Sequence, residues 1–268
     1  MTTIAFASIS ALDRPLAEAA RAAARSGADG LEVTARPPHL DEIATPDAAQ
    51  RAGDAVRAAG LEVVAFGSYL GAEGPASEEA IAHDVAIARA LATPRLRVWP
   101  GQSTSDDDDA GPVVAFLQAT CDRAADAGID VVVERHDGSF ADTVARTDRL
   151  LDAVARGNLH LNYQVRDLLR PSDLPGLADD VRKLIPRSRY FHLKNYRPNP
   201  DEAGPFLPGG DLENGVLDYR EILSAAVEAG YAGPYTLEFL AWDERSLEEK
   251  ISADIACARR ILAELGAE

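Results

Sequence analysis

The strongest constraint on the fold is an alternation of short β-like runs with amphipathic helical patterns along all 268 residues. The segments between the runs carry apolar residues at spacings of three and four, as the buried face of a helix does. One such face extends from Phe140 to Val154, and another from Leu247 to Leu265. The eight β-like runs are TIAFAS near the N-terminus, GLEV from residue 30, LEVVAFG from 61, RLRVWP from 95, DVVVERH from 130, LHLNYQ from 159, RYFHLKN from 189 and PYTLEF from 234.

Glycine marks the boundary between several helical patterns and the β-like run that follows. Gly60, Gly128 and Gly230 stand where a C-terminal glycine cap would end a helix. Strand and helix alternating in this way predict a single (β/α)8 barrel of the α/β class, with one domain over residues 1–268. The alternative is a doubly wound open sheet. It needs a glycine-rich phosphate turn after an early strand, and FASISALDRP contains no glycine.

Composition limits the partners. The formal net charge is −17 and the sequence pI is about 4.7, so phosphate backbones and anionic membrane surfaces should be repelled. With no basic leader and no run of about 18 apolar residues, we expect a cytoplasmic protein that acts on a small molecule. Cys121 and Cys257 are interpreted as two separate buried side chains rather than a disulfide or zinc pair. Association into a homo-oligomer is left open.

Polar residues stand at the ends of successive β-like runs, where a barrel builds its active site. Because side chains alternate along a strand, two residues separated by one position point to the same side. We therefore expect these side chains to converge at the mouth of the barrel, where oxygen and imidazole donors suit a divalent cation. The pairs are Arg97 with Trp99, Glu134 with His136, Asn162 with Gln164, His192 with Lys194 and Thr236 with Glu238, and Glu32 ends the second run.

Each of these residues also has a simpler interpretation. His192 alone would be a hydrogen-bonded core histidine, Lys194 would extend to solvent, and His136 would cap a helix. What favours a functional site is the repetition of an inward polar pair on four successive strands. Two segments outside the strands stand apart. Residues 103–112 are read as a solvated acidic loop, and the Pro/Gly-rich residues 195–215 as either disordered or a functional lid.

Four stretches resemble a known family: ERHDGSFADT after the fifth run, HLKN in the seventh, ENGVLDYREIL, and TLEF in the eighth. They resemble the xylose isomerase-like TIM barrels, which include sugar and sugar-phosphate isomerases and epimerases, inosose and 3-dehydroshikimate dehydratases, and endonuclease IV. The resemblance implies one divalent ion, Mn²⁺, Mg²⁺, Co²⁺ or Zn²⁺, with Glu134, His192 and Glu238 as ligands. The fourth ligand position falls on Gln164, where the family usually has Asp, and Asp167 stands where a His often follows. We therefore expect weak metal binding that strengthens in Gln164→Asp.

The resemblance also implies a reaction. Family members remove a proton next to a carbonyl and stabilise the enediolate. Glu134 and Glu238 would exchange the proton, and His136 and Lys194 would hold substrate oxygens. The first hypothesis is a sugar or sugar-phosphate isomerase or epimerase, and the alternatives are a dehydratase of the 3-dehydroshikimate or inosose type or a non-catalytic sugar-binding barrel. An endonuclease is disfavoured by five histidines on an acidic chain. The predicted substrate contacts are Arg97, Trp99, Glu32 and Asp167.

Overall fold

The computed structural model describes residues 2–41 and 43–267. Its strands are β1 (Ile4–Ala7), β2 (Gly30–Thr34), β3 (Glu62–Gly67), β4 (Arg95–Val98), β5 (Asp130–Glu134), β6 (Leu159–Gln164), β7 (Ser188–Leu193), β8 (Asn195–Arg197), β9 (Leu207–Gly210) and β10 (Tyr235–Leu237). Its α-helices are α1 (Leu16–Arg25), α2 (Pro46–Ala58), α3 (Glu78–Leu91), α4 (Gly111–Ala125), α5 (Val144–Val154), α6 (Leu177–Leu184), α7 (Tyr219–Glu228) and α8 (Leu247–Glu264).

Strands β1 to β7 and β10 pair in parallel and close into a barrel, with β1 between β2 and β10. Each of these eight strands overlaps one of the β-like runs, so the predicted (β/α)8 barrel is confirmed. Closure of the sheet leaves no exposed strand edge in the barrel. It also brings the C-terminal ends of all eight strands to one mouth.

The ends of the helices follow local sequence signals. The side chains of Ser77 and Thr143 accept hydrogen bonds from backbone N–H groups in the first turns of α3 and α5. Gly60, Gly128 and Gly230 follow α2, α4 and α7 with φ of +86°, +67° and +80°, a conformation that side chains other than glycine rarely adopt. These caps end each helix before the next strand and keep the connections short.

The segment after β7 is more ordered than its composition suggests. Within residues 195–215, β8 and β9 form a small antiparallel pair instead of an irregular loop. Tyr196 in β8 is buried, and the backbone N–H of Phe206 donates to the carbonyl of Leu169 at 2.8 Å. The prediction missed this pair because proline and glycine disfavour strands and long-range contacts hold it in place. A lid role for the segment stays a prediction.

The barrel interior below the mouth is filled by residues of complementary size. Ala5, Val132 and Tyr190 belong to a small buried cluster, and the ring of Tyr190 lies 5.2 Å from the ring of His192. Tyr190 therefore forms part of the floor of the polar mouth. Cys121 and Cys257 are both buried and unpaired, as expected. In the described part of the chain, no helix is long and apolar enough to span a membrane.

Candidate active site

The end of β5 is where an apolar strand meets the mouth of the barrel. Glu134, its last residue, is aligned with Asn162 of β6, while Gln164 is aligned with His192 of β7 and His192 with Thr236 of β10. Parallel register therefore brings the polar side chains of successive strands to similar heights. The polar side chains buried at the mouth, each at most 5% exposed, are Glu32, Arg97, Glu134, Asn162, Gln164, His192, Lys194, Thr236 and Glu238.

Eight of these side chains, all except Thr236, form two layers together with three neighbours. The inner layer is deeper in the barrel and is a continuous chain of hydrogen bonds and ion pairs. It consists of Glu32, Arg97, Glu134, Asn162, Gln164 and His192. The outer layer lies towards the mouth and includes half-buried side chains. It consists of Trp99, His136, Asp167, Lys194 and Glu238.

Arg97 is the centre of the inner layer. Its guanidinium donates a hydrogen bond to Oε2 of Glu134, and its Nε lies 3.3 Å from Oε1 of Glu32. The pKa of Glu32 is lowered to about 2. Burial opposes ionisation of this carboxyl, but the charges of His192 and Arg97 outweigh it. These neighbours favour the ionised form of Glu32 in the barrel interior.

The amide of Gln164 is oriented by two acceptors. Its Nε2 lies 2.9 Å from Oε1 of Glu134 and 2.7 Å from the carbonyl oxygen of Arg135. Because a carboxylate and a carbonyl can only accept, the NH₂ end of the amide must face them. Oε1 of Gln164 is buried and has no hydrogen-bond partner. Gln164 thus acts towards Glu134 as a donor.

His192 connects the two sides of the barrel. Its Nε2 lies 2.8 Å from Oε2 of Glu32, and its Nδ1 lies 3.3 Å from Nδ2 of Asn162 and 3.5 Å from Oε1 of Glu238. Burial alone would lower the pKa of His192, but the carboxylates of Glu238 and Glu32 outweigh that effect and raise it. Each ring nitrogen of His192 thus lies near polar side chains, Nε2 near Glu32 and Nδ1 near Asn162 and Glu238.

The outer layer contains a lysine between two carboxyl groups. Nζ of Lys194 lies 2.7 Å from Oδ1 of Asp167 and 3.7 Å from Oε2 of Glu238. Burial would lower the pKa of Lys194, but these two carboxyls raise it, so the ammonium form is favoured. Burial raises the pKa of Glu238, although His192 and Lys194 oppose the rise. Oε2 of Glu238 has no hydrogen-bond partner. This oxygen is therefore able to accept a proton, and it lies next to the ammonium of Lys194.

His136 and Trp99 lie above this group. The two rings are 4.7 Å apart, and Nε2 of His136 lies 3.4 Å from Oδ2 of Asp167. The side chains of His136 and Asp167 are 31% and 34% exposed, so they face the opening. Burial would raise the pKa of Asp167, but the charge of Lys194 lowers it. Asp167 therefore joins His136 to Lys194 through its two carboxylate oxygens.

Two positions that shape the site were missed from the sequence. Oδ2 of Asp137 accepts hydrogen bonds from the backbone N–H groups of Asp167 at 2.6 Å and Leu168 at 3.1 Å, which positions Asp167. Gly67 lies beside the Glu32–Arg97 pair, where an added Cβ would stand 2.4 Å from Oε1 of Glu32. The ERHDG stretch contained a signal for Asp137, because an Asp soon after a strand often binds loop N–H groups. The role of Gly67 depends on distant contacts and has no local signal.

Three of the four predicted metal ligands, Glu134, Gln164 and His192, are hydrogen-bonded to other protein groups in this arrangement. Both oxygens of Glu134 are taken, by Arg97 and Gln164, and Nε2 of His192 is taken by Glu32. Among the described residues, no group of three or more His, Cys, Asp or Glu side chains is arranged to hold a metal ion. As they stand, these residues do not fit a divalent cation, and the predicted metal stays a prediction.

The sequence of this chain is similar to that of known proteins. A family model described as xylose isomerase-like TIM barrel matches residues 20–261. An inosose dehydratase from Clostridium botulinum (strain Alaska E43 / Type E3) is 22% identical over 191 residues, which are 66% of this chain and 61% of that protein. The chain thus matches less than two-thirds of that relative's length.

Solved structures share the whole barrel. A xylose isomerase-like TIM barrel protein from Mycobacterium smegmatis, in complex with magnesium, has a TM-score of 0.75 at 18% identity and covers 99% of this chain and 97% of its own. A D-allulose 3-epimerase from Methylomonas sp. also has a TM-score of 0.75 at 18% identity, with 97% and 98% covered. At these identities the likeness shows the fold alone. The family match over residues 20–261 shows that the chain belongs to the xylose isomerase-like TIM barrel family.

Proposed function

We propose that this protein is an enzyme that removes the proton next to the carbonyl of a small polyhydroxylated compound and then eliminates water. The observation that carries the proposal is the environment of Glu238. Its Oε2 is unpartnered and buried, 3.7 Å from the ammonium of Lys194. A carboxylate with a free oxygen and a raised pKa is suited to act as a general base. The adjacent cation would stabilise an enolate oxygen.

Glu134 and Glu238 differ in whether an oxygen is left without a hydrogen-bond partner, and this difference favours elimination over epimerisation. Epimerisation needs an acid or base on each face of the substrate carbon, and Glu134 and Glu238 are the candidates. Both oxygens of Glu134 are bound within the inner layer, whereas Glu238 keeps one oxygen free. Elimination needs one base and one acid to protonate the leaving hydroxyl. The outer layer offers Glu238 for the first role and His136 for the second.

The proposed steps use residues of the outer layer. Oε2 of Glu238 takes the proton from the carbon next to the carbonyl, and the C–H electron pair becomes the double bond of an enolate. The ammonium of Lys194 faces the enolate oxygen. When the carbonyl re-forms, the electron pair moves into a new C=C bond and the neighbouring C–O bond breaks. The leaving hydroxyl takes a proton from His136 and departs as water, and the proton held by Glu238 then passes through solvent to His136, which restores both residues.

The substrate class follows from the polar surroundings. Asp167, His136 and Lys194 offer acceptors and donors to several hydroxyl groups, and the Trp99 ring offers an apolar face, a combination that suits a cyclic polyol ketone. The relationship to an inosose dehydratase supports this class. Arg97 and Glu32 are proposed to support the site from the inner layer, where each already has protein partners.

An isomerase or epimerase is the second candidate. It is favoured by two buried glutamates on β5 and after β10 that face the same interior. In that case Glu134 would have to leave Arg97 when the substrate binds. A divalent ion held by Glu134, Gln164, His192 and Glu238 would act as a Lewis acid for this second candidate, and it too would require Glu134 to leave Arg97. The bonds described above leave Oε2 of Glu238 and Oε1 of Gln164 as the oxygens without partners.

Deuterium incorporation from D₂O separates the outcomes. The protein would be incubated with inososes, 3-dehydroshikimate, ketoses and ketose phosphates, with and without Mn²⁺, and the products analysed by NMR and mass spectrometry. We expect loss of water from an inosose or 3-dehydroshikimate. A deuterated stereoisomer of a ketose would support the epimerase instead. Binding of one of these compounds with neither exchange nor turnover would contradict the enzymatic proposal and support a sugar-binding barrel.

A further inference from the structure

Arg97 is a buried cation bonded to Glu134, one of the four side chains that the family resemblance predicts as metal ligands. Its side chain is 3% exposed, and it contacts carboxylates from β2 and β5, on either side of its own strand. An arginine guanidinium keeps its charge in proteins, so this buried group is a cation. The contacts come from two directions, as they would around a bound cation.

The fold makes room for this guanidinium. Gly67 of β3 lies between Glu32 on β2 and Arg97 on β4. A Cβ at Gly67 would stand 2.4 Å from Oε1 of Glu32 and 2.8 Å from a terminal nitrogen of Arg97. No side chain can occupy that space without moving the pair. The ion pair is therefore built into the packing of three adjacent strands.

The carboxylates of the inner layer already have partners within the protein. Its two carboxylates, Glu32 and Glu134, face the guanidinium of Arg97 and the imidazole of His192. Gln164 is neutral and donates its NH₂ to Glu134, where a carboxylate would have added a negative charge. A divalent ion placed among these groups would lie close to Arg97, and their repulsion would be strong in the low dielectric of the interior.

We propose that Arg97 takes the electrostatic place of the divalent ion in this barrel, so that the site is assembled without metal and Lys194 supplies the positive charge that meets the substrate. This inference rests on the proposed function for the role of Lys194 only. Whether Arg97 assembles the inner layer in place of a metal can be tested by metal binding alone, without substrate.

The test is Mn²⁺ binding by protein first stripped with EDTA, measured by calorimetry and by melting temperature. The family resemblance alone predicts weak binding that strengthens in Gln164→Asp. With Arg97 in place, we expect instead no binding by the wild-type protein or by Gln164→Asp. The double variant Arg97→Met with Gln164→Asp should bind one Mn²⁺ and melt about 5 °C higher at a hundredfold excess of Mn²⁺ over its Kd. The matched control is Arg95→Met with Gln164→Asp. Arg95 is on the same strand two residues earlier, over the ring of Tyr190, and its loss should create no site.

The outcomes are distinct. Stoichiometric Mn²⁺ binding by the wild-type protein, lost in Glu238→Gln, would overturn the proposal, as would binding that appears in Gln164→Asp alone. A folded double variant that binds no Mn²⁺ would overturn the proposal too. If the double variant does not fold, Mn²⁺ binding by the wild-type protein and by Gln164→Asp decides the question. The readouts need no turnover, so failure of the dehydration assay would reject the proposed reaction and the role of Lys194 but leave the assembly of the inner layer by Arg97 standing.

Discussion

Nε2 of His192 on β7 lies 2.8 Å from Oε2 of Glu32 on β2, which joins two strands that are 160 positions apart in sequence and not adjacent in the barrel. Both side chains are fully buried. The contact ties β2 directly to β7 and, through Glu32, connects His192 to Arg97 on β4. Rigid support of this kind keeps the functional groups above it in place.

Glu238→Gln should abolish turnover while leaving the fold intact. The amide has the same shape but cannot take a proton, so we expect the rate of dehydration and of deuterium exchange to fall by about 10²–10⁴-fold. Both rates would be measured on the substrate found in the panel, with circular dichroism as a check on folding. The matched control is Glu62→Gln at the exposed start of β3, which should behave like the wild type. Unchanged exchange in Glu238→Gln would show that another group is the base.

His136→Asn should separate the two halves of the proposed reaction. Removal of the imidazole takes away the acid that protonates the leaving hydroxyl, but Glu238 and Lys194 remain. We expect dehydration to slow by about 10²-fold or more while deuterium still enters the recovered substrate. The measurement is the ratio of exchange to product formation in D₂O. Equal losses of both rates would place His136 in the first step or in substrate binding.

Gly67→Ala should destabilise the protein because the new methyl group meets the Glu32–Arg97 pair. The neighbours are buried charges in a packed barrel, so displacement breaks an ion pair that water cannot replace. We expect the free energy of unfolding to fall by about 2–4 kcal/mol, measured by urea denaturation. Gly157→Ala is the control, since a Cβ there would meet nothing within 4 Å. A stability equal to that of the control would mean that the pair has room to shift.

Asp254→Asn should change how stability depends on pH. Asp254 on α8 is 4% exposed, its Oδ1 accepts from the backbone N–H of Leu212 at 2.9 Å, and burial raises its pKa to about 6. The pKa of Asp254 is about 3.9 in the unfolded chain and about 6 in the folded protein. Between these two pH values the folded protein binds more protons than the unfolded chain. The contribution of Asp254 to stability therefore falls as pH rises. Above the folded pKa the full penalty is about 2–3 kcal/mol.

Asn keeps an oxygen for Leu212 and carries no charge. The variant should therefore be more stable than the wild type at pH 7.5, and the difference should shrink towards pH 4.5. Unfolding free energies measured at both pH values test this, because the difference between variant and wild type cancels the other titrating groups. A pH-independent difference would show that Asp254 titrates normally.

The barrel and the convergence of its polar strand ends could be predicted from local patterns. Each β-like run was bounded by turn signals, and the parity of a strand determines which side chains point inward. Glu134 and His192 were assigned to one interior on that basis, and the structure places both at the mouth. The β8–β9 pair could not be predicted, since its proline- and glycine-rich strands depend on contacts such as that of Phe206 with Leu169.

The sequence by itself determined the periodicity, the helix caps and which residue types stand at each strand end, because these depend on neighbours within a few positions. Which side chain bonds to which was decided only by the tertiary structure. Arg97 meets Glu32 across Gly67, and Gln164 turns its NH₂ to Glu134, because barrel closure sets distances between strands that are far apart in the chain. Inside that closed space each buried charge must find a partner, and the available partners follow from the geometry of all the strands together.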